Sequence, residues 1–249
     1  MEEIIHLILK IAATLIESGA EISRAEDSIS HMCRAYGALA TNAYATTSHI
    51  TVTVETPEGF YTQTRRPKHI NNNLDLLDRT NTLVRYISAE APTAEKIKEE
   101  LEKLPRGKYP WYLTALAQGA ISAAFCLFFG SRAPLECVFA FLIGLLLGAF
   151  ARTLDRIESN TLLKSFLLSF FASLMAFSLP RLGAVATPDY IIIGYIMNLI
   201  PGLGFTGALR DLFVGDLFTG MVRILGAVLL AVAIGAGFVL TALLFGGVV

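Results

Sequence analysis

The stretch Asn198-Leu-Ile-Pro201-Gly202-Leu-Gly204-Phe-Thr206-Gly207 interrupts an otherwise apolar run from Tyr190 to Leu209. In hydrocarbon every backbone N–H and C=O must be paired. A helix-breaking run at that depth is tolerated only where it is buried in protein or lines a polar cavity. Transporters place such broken helices at their substrate sites. Just beyond the break come Arg210, Asp211, Asp216 and Arg223, four charges in an apolar half of the chain. The pattern predicts a membrane transport protein.

Working outward, apolar segments surround the break. Residues 111–129 and 224–247 carry no charge, 135–151 carries only Glu136, and 162–179 carries only Lys164. With 190–209 they make five segments near the length of about 20 residues that a helix needs to cross a bilayer. The composition agrees: mean hydropathy is +0.57 and only 16% of the 249 residues are charged. The charge is uneven, with 13 Lys/Arg and 15 Asp/Glu in residues 1–110 against 7 and 6 in residues 111–249. Two parts are expected: a cytoplasmic α+β domain over 1–105 and a transmembrane domain over 106–249.

The first part reads as mixed structure. Ile4, Ile5, Ile8, Ile11, Leu15 and Ile16 recur at helical spacing, and Gly19 ends that helix. Its length and charges suit a core helix of the polar domain, with a membrane-surface helix as the other reading. Ser23-x-x-Glu26 predicts a capping box opening a second helix that Gly37 stops. His49–Glu55 alternates, Thr56-Pro57-Glu58-Gly59 is a turn and Phe60–Thr64 returns, so a hairpin is expected. Residues 73–89 and 94–104 read as helices, the second ended by Pro105.

Lys and Arg counts set the orientation. Lys103, Arg106, Lys108, Arg152, Arg156, Lys164, Arg210 and Arg223 fall on one side, and Arg132 and Arg181 on the other. The N-terminal domain is therefore expected in the cytoplasm and Val249 outside. Trp111, Tyr112 and Tyr190 stand where interfacial aromatics belong. The Met-Glu-Glu start lacks a basic region, so no cleaved signal peptide is expected. A net charge of −1 gives no sign of a nucleic-acid partner. Cys33, Cys126 and Cys137 are read as reduced and structural.

The break offers chemistry. Pro201 cannot donate a backbone hydrogen bond, and Gly202, Gly204 and Gly207 let the backbone leave helical geometry. Freed N–H groups at a half-helix start suit a carboxylate, freed carbonyls suit a cation, and Asn198 and Thr206 add side-chain partners. The competing reading is a simple kink, with the glycines serving close helix packing. Arg210 can hold a carboxylate through a bidentate pair, and Asp211 or Asp216 can carry a coupling proton if burial raises its pKa. The competing reading there is a solvated loop whose arginines only set topology. Near the N-terminus, Glu17, Gly19, Glu21, Arg24 and Glu26 make a dense charged run, which helix capping and a Glu21–Arg24 pair would also explain. The four histidines (His6, His31, His49 and His69) show no metal-ligand spacing, and phosphate loops and nucleophile elbows are absent. No metal, cofactor or enzymatic activity is expected.

The run Leu15-Ile-Glu-Ser-Gly-Ala-Glu21-Ile-Ser-Arg24-Ala-Glu26-Asp27, followed by Ala35-Tyr36-Gly37, resembles the opening signature of the bacterial threonine/serine exporter family. Pro201-Gly202, then Leu209-Arg210-Asp211-Leu212 and Gly215-Asp216-Leu217…Gly220…Arg223, resembles its membrane-domain signature. The two lie near the two ends, in the family's order. The resemblance implies a cytoplasmic domain followed by a membrane domain of a secondary exporter in the inner membrane. Long members of that family fuse two membrane halves and export threonine and serine. Short members stop after the first half and work with a separate small membrane subunit, in pairs associated with export of dicarboxylates such as succinate. This chain matches the short type, so the long members' substrate need not apply. A homo-oligomer is a further assembly the reading allows. The alternative function is a membrane-anchored regulatory protein whose N-terminal domain binds a cytosolic metabolite.

Overall fold

The computed structural model describes residues 1–68, 72–104, 109–158 and 160–246. His69, Pro105, Arg106, Lys108, Val249 and the expected domain boundary at 105/106 lie outside the described residues. The chain divides into two compact units. One comprises residues 1–107 together with 206–221, and the other comprises 108–205 together with 222–249.

The first unit opens with α1 (Glu2–Glu17) and α2 (Ile22–Ala35). Ile5, Ile8, Ile11, Leu15 and Ile16 of α1 are fully buried, so it is a core helix of this unit. Gly19, at φ +98°, closes α1. Its N–H reaches the Ile16 carbonyl (3.1 Å) while Ala20 N–H reaches Leu15 (2.9 Å), a pairing that needs a left-handed residue at that position.

The sheet is antiparallel in the order β1 (Ala40–Ala45), β2 (Ile50–Thr56), β3 (Gly59–Arg65). Val52 faces Ala43 and Gln63 across the ladders. Ile50, Val52 and Val54 point to the core. The hairpin follows the alternation in the sequence. β1 adds a third strand from Ala-Thr-Asn-Ala-Tyr-Ala, which has little β-branched content and is ordered by its ladder to β2. Asn73 caps α3 (Leu74–Glu90) by accepting from Leu76 N–H at 3.1 Å, and α4 (Ala94–Lys103) follows.

The second unit holds α5 (Trp111–Phe128), α6 (Pro134–Ile157), α7 (Thr161–Arg181) and α8 (Asp189–Leu199). α9 (Gly202–Val214) and α10 (Leu217–Leu244) run through both units. Among the described residues four of these helices are long and apolar enough to cross a membrane, and α8 with α9 forms a bent pair that counts as a fifth if it is one span. α6 continues six residues beyond 151, carrying Arg152, Asp155 and Arg156 in its last turns. α10 opens at Leu217 rather than near 224, because Asp216 caps it there.

Small residues set the helix contacts, as in membrane interiors where close approach replaces hydrophobic exclusion. A Cβ on Gly144 would lie 2.7 Å from the Gln118 carbonyl of α5, and one on Gly194 of α8 would lie 2.5 Å from that of Ser122. A Cβ on Gly237 of α10 would lie 2.5 Å from the Phe166 carbonyl of α7. The same α7–α10 seam is closed by Ser169 Oγ donating to the Ile234 carbonyl (2.7 Å) and Thr241 Oγ1 to that of Phe170 (3.1 Å).

Candidate functional site

The helix break is local and has a clear cause. The residue before a proline is pushed out of the α region, and Ile200 sits at φ −65°, ψ 130°. Its N–H makes the last bond of α8, to Ile196 (3.1 Å). Pro201 then offers its carbonyl to Phe205 N–H (2.9 Å), the first turn of α9, and the two helices meet at a bend of 52°. Among the described residues, a Cβ on Gly202 or Gly207 would meet nothing within 4 Å, and one on Gly204 only Pro201 Cβ at 3.9 Å. These glycines make no close helix contact among the described residues, in contrast to Gly144, Gly194 and Gly237. Asn198 stands half-buried in the last turn of α8, and Thr206 is exposed on α9.

The charges beyond the break are not in a solvated loop. Arg210 and Asp211 lie on α9, and only Asp216 stands at the junction with α10. The junction is built by Gly215-Asp216. Gly215, at φ +98°, ends α9 with its N–H on the Leu212 carbonyl (3.1 Å) and Asp216 N–H on that of Asp211 (3.0 Å). The Asp216 carboxylate accepts from Thr219 N–H at 3.1 Å and so opens α10. A Cβ on Gly220 would lie 2.6 Å from Leu212, which ties the first turn of α10 to α9. Asp211 is buried at 4% exposure. Arg223 is half-buried on α10 in the second unit.

Residues 206–221 belong to the same compact unit as the N-terminal segment, and there the two charged runs meet. Arg210 Nη1 lies 2.7 Å from Glu21 Oε1. The Arg210 side chain is 65% exposed and that of Glu21 24%, so the pair contributes about 0.2–1 kcal/mol to stability. The planar guanidinium is shaped for a carboxylate, and Glu21 supplies one. Glu26 accepts a hydrogen bond from Ala45 N–H at 2.7 Å. Burial pushes its pKa up, the Ala45 donor partly offsets this, and the negative charge of Asp216 raises it further.

Two expectations from the sequence are corrected here. α2 begins at Ile22 with Glu21 at the cap position, no side chain caps it, and Ser23 lies inside the helix. The expected capping box does not form, because Glu26 is taken by the backbone of β1. The expected Glu21–Arg24 pair does not form either, because Glu21 pairs with Arg210. Glu17 accepts from Lys68 N–H at 2.7 Å. Gly19 is held tightly, since a Cβ there would lie 2.7 Å from Asn72 Oδ1. Arg24 is exposed on α2. The roles of Gly215 and Gly220 were not anticipated, although a Gly-Asp pair between apolar helical runs is a legible stop-and-cap signal. Among the described residues no group of three or more His, Cys, Asp or Glu side chains is placed to hold a metal ion.

A mainly helical chain with four or five candidate spans and a small three-stranded α+β unit is the architecture of a polytopic membrane protein. The chain belongs to the putative threonine/serine exporter family, whose model matches residues 6–245. It is also 22% identical, over 244 residues, to a protein of Klebsiella aerogenes described as a probable succinate transporter subunit, YjjP. The similarity covers 97% of this chain and 93% of that one. No solved structure matches.

Proposed function

We propose that the chain is a subunit of a secondary-active inner-membrane exporter of small carboxylate metabolites, either a succinate-like dicarboxylate or threonine and serine. It acts by transport and not as an enzyme, and it works with a second small membrane subunit. The observation that carries this reading is the break at Ile200–Pro201 followed directly by the charged run of α9 and α10. The description of the Klebsiella relative as a succinate transporter subunit supports the dicarboxylate and the partner. In this reading Asn198, Pro201, Gly202, Gly204 and Thr206 shape the passage. Arg210 takes the substrate carboxylate, exchanging it for Glu21. Asp211 or Asp216 carries the coupling proton, and Arg223 completes the charged lining. Residues 1–105 face the cytoplasm, residues 106–249 form the membrane domain, and the C-terminus lies outside.

The test is uptake of labelled succinate and threonine into inverted vesicles containing the chain with and without its candidate partner, and with and without an imposed pH gradient. Flux that needs the partner and responds to the gradient is expected. No flux of either compound, with both subunits present, overturns the reading. Topology is tested separately with Glu2→Cys in intact cells, where efficient labelling by an impermeant reagent would reverse the proposed orientation.

A further inference from the structure

α2 and α3 pack against each other, and a groove of about 430 Å³ runs between them. α2 lines it with Arg24, Asp27, Ser28 and His31, and α3 with Asn81, Arg85 and Ser88. Both sets follow the three-and-four spacing of one helical face. Two packed amphipathic helices ordinarily turn apolar stripes to each other. Here the apolar stripes, Ile22, Ala25, Ile29 and Met32 on α2 with Leu83 and Ile87 on α3, are buried in the core. A second, polar pair of stripes faces across the groove.

The polar groups of this groove are poorly matched to one another. Neither guanidinium is ion-paired among the described residues; Arg85 Nη2 donates only to Thr82 Oγ1 at 3.2 Å. Ser28 returns its hydroxyl to the Arg24 carbonyl at 2.7 Å, as a serine within a helix ordinarily does. Ser88 does not: its Oγ is buried and has no hydrogen-bond partner among the described residues. A buried hydroxyl without a partner is costly, and native structures rarely keep one without a reason. Two arginines against one aspartate leave the lining net positive, and Asn81 adds a neutral donor. The volume is within the range of small-molecule sites.

We propose that this groove is a ligand site for a small carboxylate-bearing metabolite, with Arg24 and Arg85 on the carboxylate oxygens. The planar forks of the two arginines suit a carboxylate or another oxyanion, and Val84 and Ala89 complete the lining beside the polar groups. The site lies in the α+β unit, is separate from Arg210 and the helix break, and does not depend on the transport reading.

The test uses the full chain in nanodiscs with Asn81→Cys as a reporter thiol at the groove, read by mass spectrometry of the modified peptide. Saturating succinate or threonine is expected to slow maleimide modification roughly five-fold or more, as occupancy requires. Arg85→Gln is expected to abolish the protection, and Arg210→Ala to leave it intact. No protection by either carboxylate, or protection that survives Arg85→Gln, each overturns the proposal. Should the reporter variant fail to fold, the thermal shift produced by succinate in the natural sequence, set against that in Arg85→Gln, decides the same point: equal shifts overturn it. Flux measured on the same variants keeps this result distinct from the outcome for transport.

Discussion

α1 and α10 are both built largely of aliphatic residues, yet their surroundings are opposite. In α1, Ile5, Ile8, Ile11, Leu15 and Ile16 are wholly enclosed by protein. In α10 only 22% of the most apolar window is buried, and Val228, Leu229, Val232, Val239, Leu240 and Leu243 stand exposed. Length and charge separate the two cases. α1 has 16 residues with acids at both ends and Lys10 within, and it is covered by α2, α3, α4 and the sheet. α10 has 28 residues, and beyond Arg223 it carries no charge to its end. It is long enough to span hydrocarbon, where exposed aliphatic surface is solvated by lipid tails. The same side chains act as core in one helix and as outer surface in the other.

This contrast is most sharply tested by truncation. Ile11→Ala is expected to destabilise the α+β unit by about 2–5 kcal/mol, the range for buried large-to-small changes, read by thermal unfolding in detergent or by protease sensitivity. Val232→Ala is expected to stay within about 0.5 kcal/mol of the parent. Equal losses would mean that α10 is packed against protein on that face.

Overpacking gives the next largest effect. Gly194→Val forces a branched side chain against the Ser122 carbonyl, at 2.5 Å from the Cβ position, and is expected to cost about 1–3 kcal/mol. Gly207→Ala, whose Cβ meets nothing among the described residues within 4 Å, is expected to leave expression and the melting temperature unchanged. A comparable loss at Gly207 would show a packing role there after all.

The Arg210–Glu21 pair is a smaller term for stability, about 0.2–1 kcal/mol, but Arg210 is expected to matter greatly for flux. Arg210→Lys retains the charge without the fork and is expected to transport nearly as poorly as Arg210→Ala. The exchanged double variant Glu21→Arg, Arg210→Glu is expected to regain the fold's stability and not the flux. Full transport by Arg210→Lys would reduce Arg210 to a charge that sets topology.

The smallest effect concerns Glu26. Its carboxyl pKa is raised in the folded protein, chiefly by burial. Between the unfolded and the raised folded value the native state holds more protons than the unfolded one, so this group's contribution becomes less favourable as pH rises through that window. Glu26→Gln keeps an acceptor for Ala45 N–H and carries no charge. It is expected to melt higher than the parent at neutral pH, with the advantage shrinking as pH falls into the carboxylate range. An advantage independent of pH would show that the charge of Glu26 is not the cause.

Much of the architecture was legible from residue patterns. The apolar segments announced the spans, because a bilayer demands a minimum length of apolar helix. Pro201 announced the break, because the residue before a proline leaves the α region whatever surrounds it. The β2–β3 hairpin was legible from alternation, while β1 was not, because Ala40–Ala45 has weak intrinsic preference and is ordered by its partner strand. The site was only half legible. Arg210, Asp211 and Asp216 stood out as charges in apolar surroundings, but the capping box at Ser23 failed because Glu26 found a better donor in Ala45.

By itself, the sequence determined the division into a polar α+β part and an apolar helical part, the helix break and the supply of charges just after it. These follow from period, length and backbone chemistry, which act over a few residues at a time. Only the tertiary structure decided that Glu21 meets Arg210 across 189 positions of sequence, that Glu26 ties α2 to β1, and that the polar faces of α2 and α3 open as a groove. Pairings of that kind depend on which elements come to lie side by side, and no local pattern encodes the neighbour.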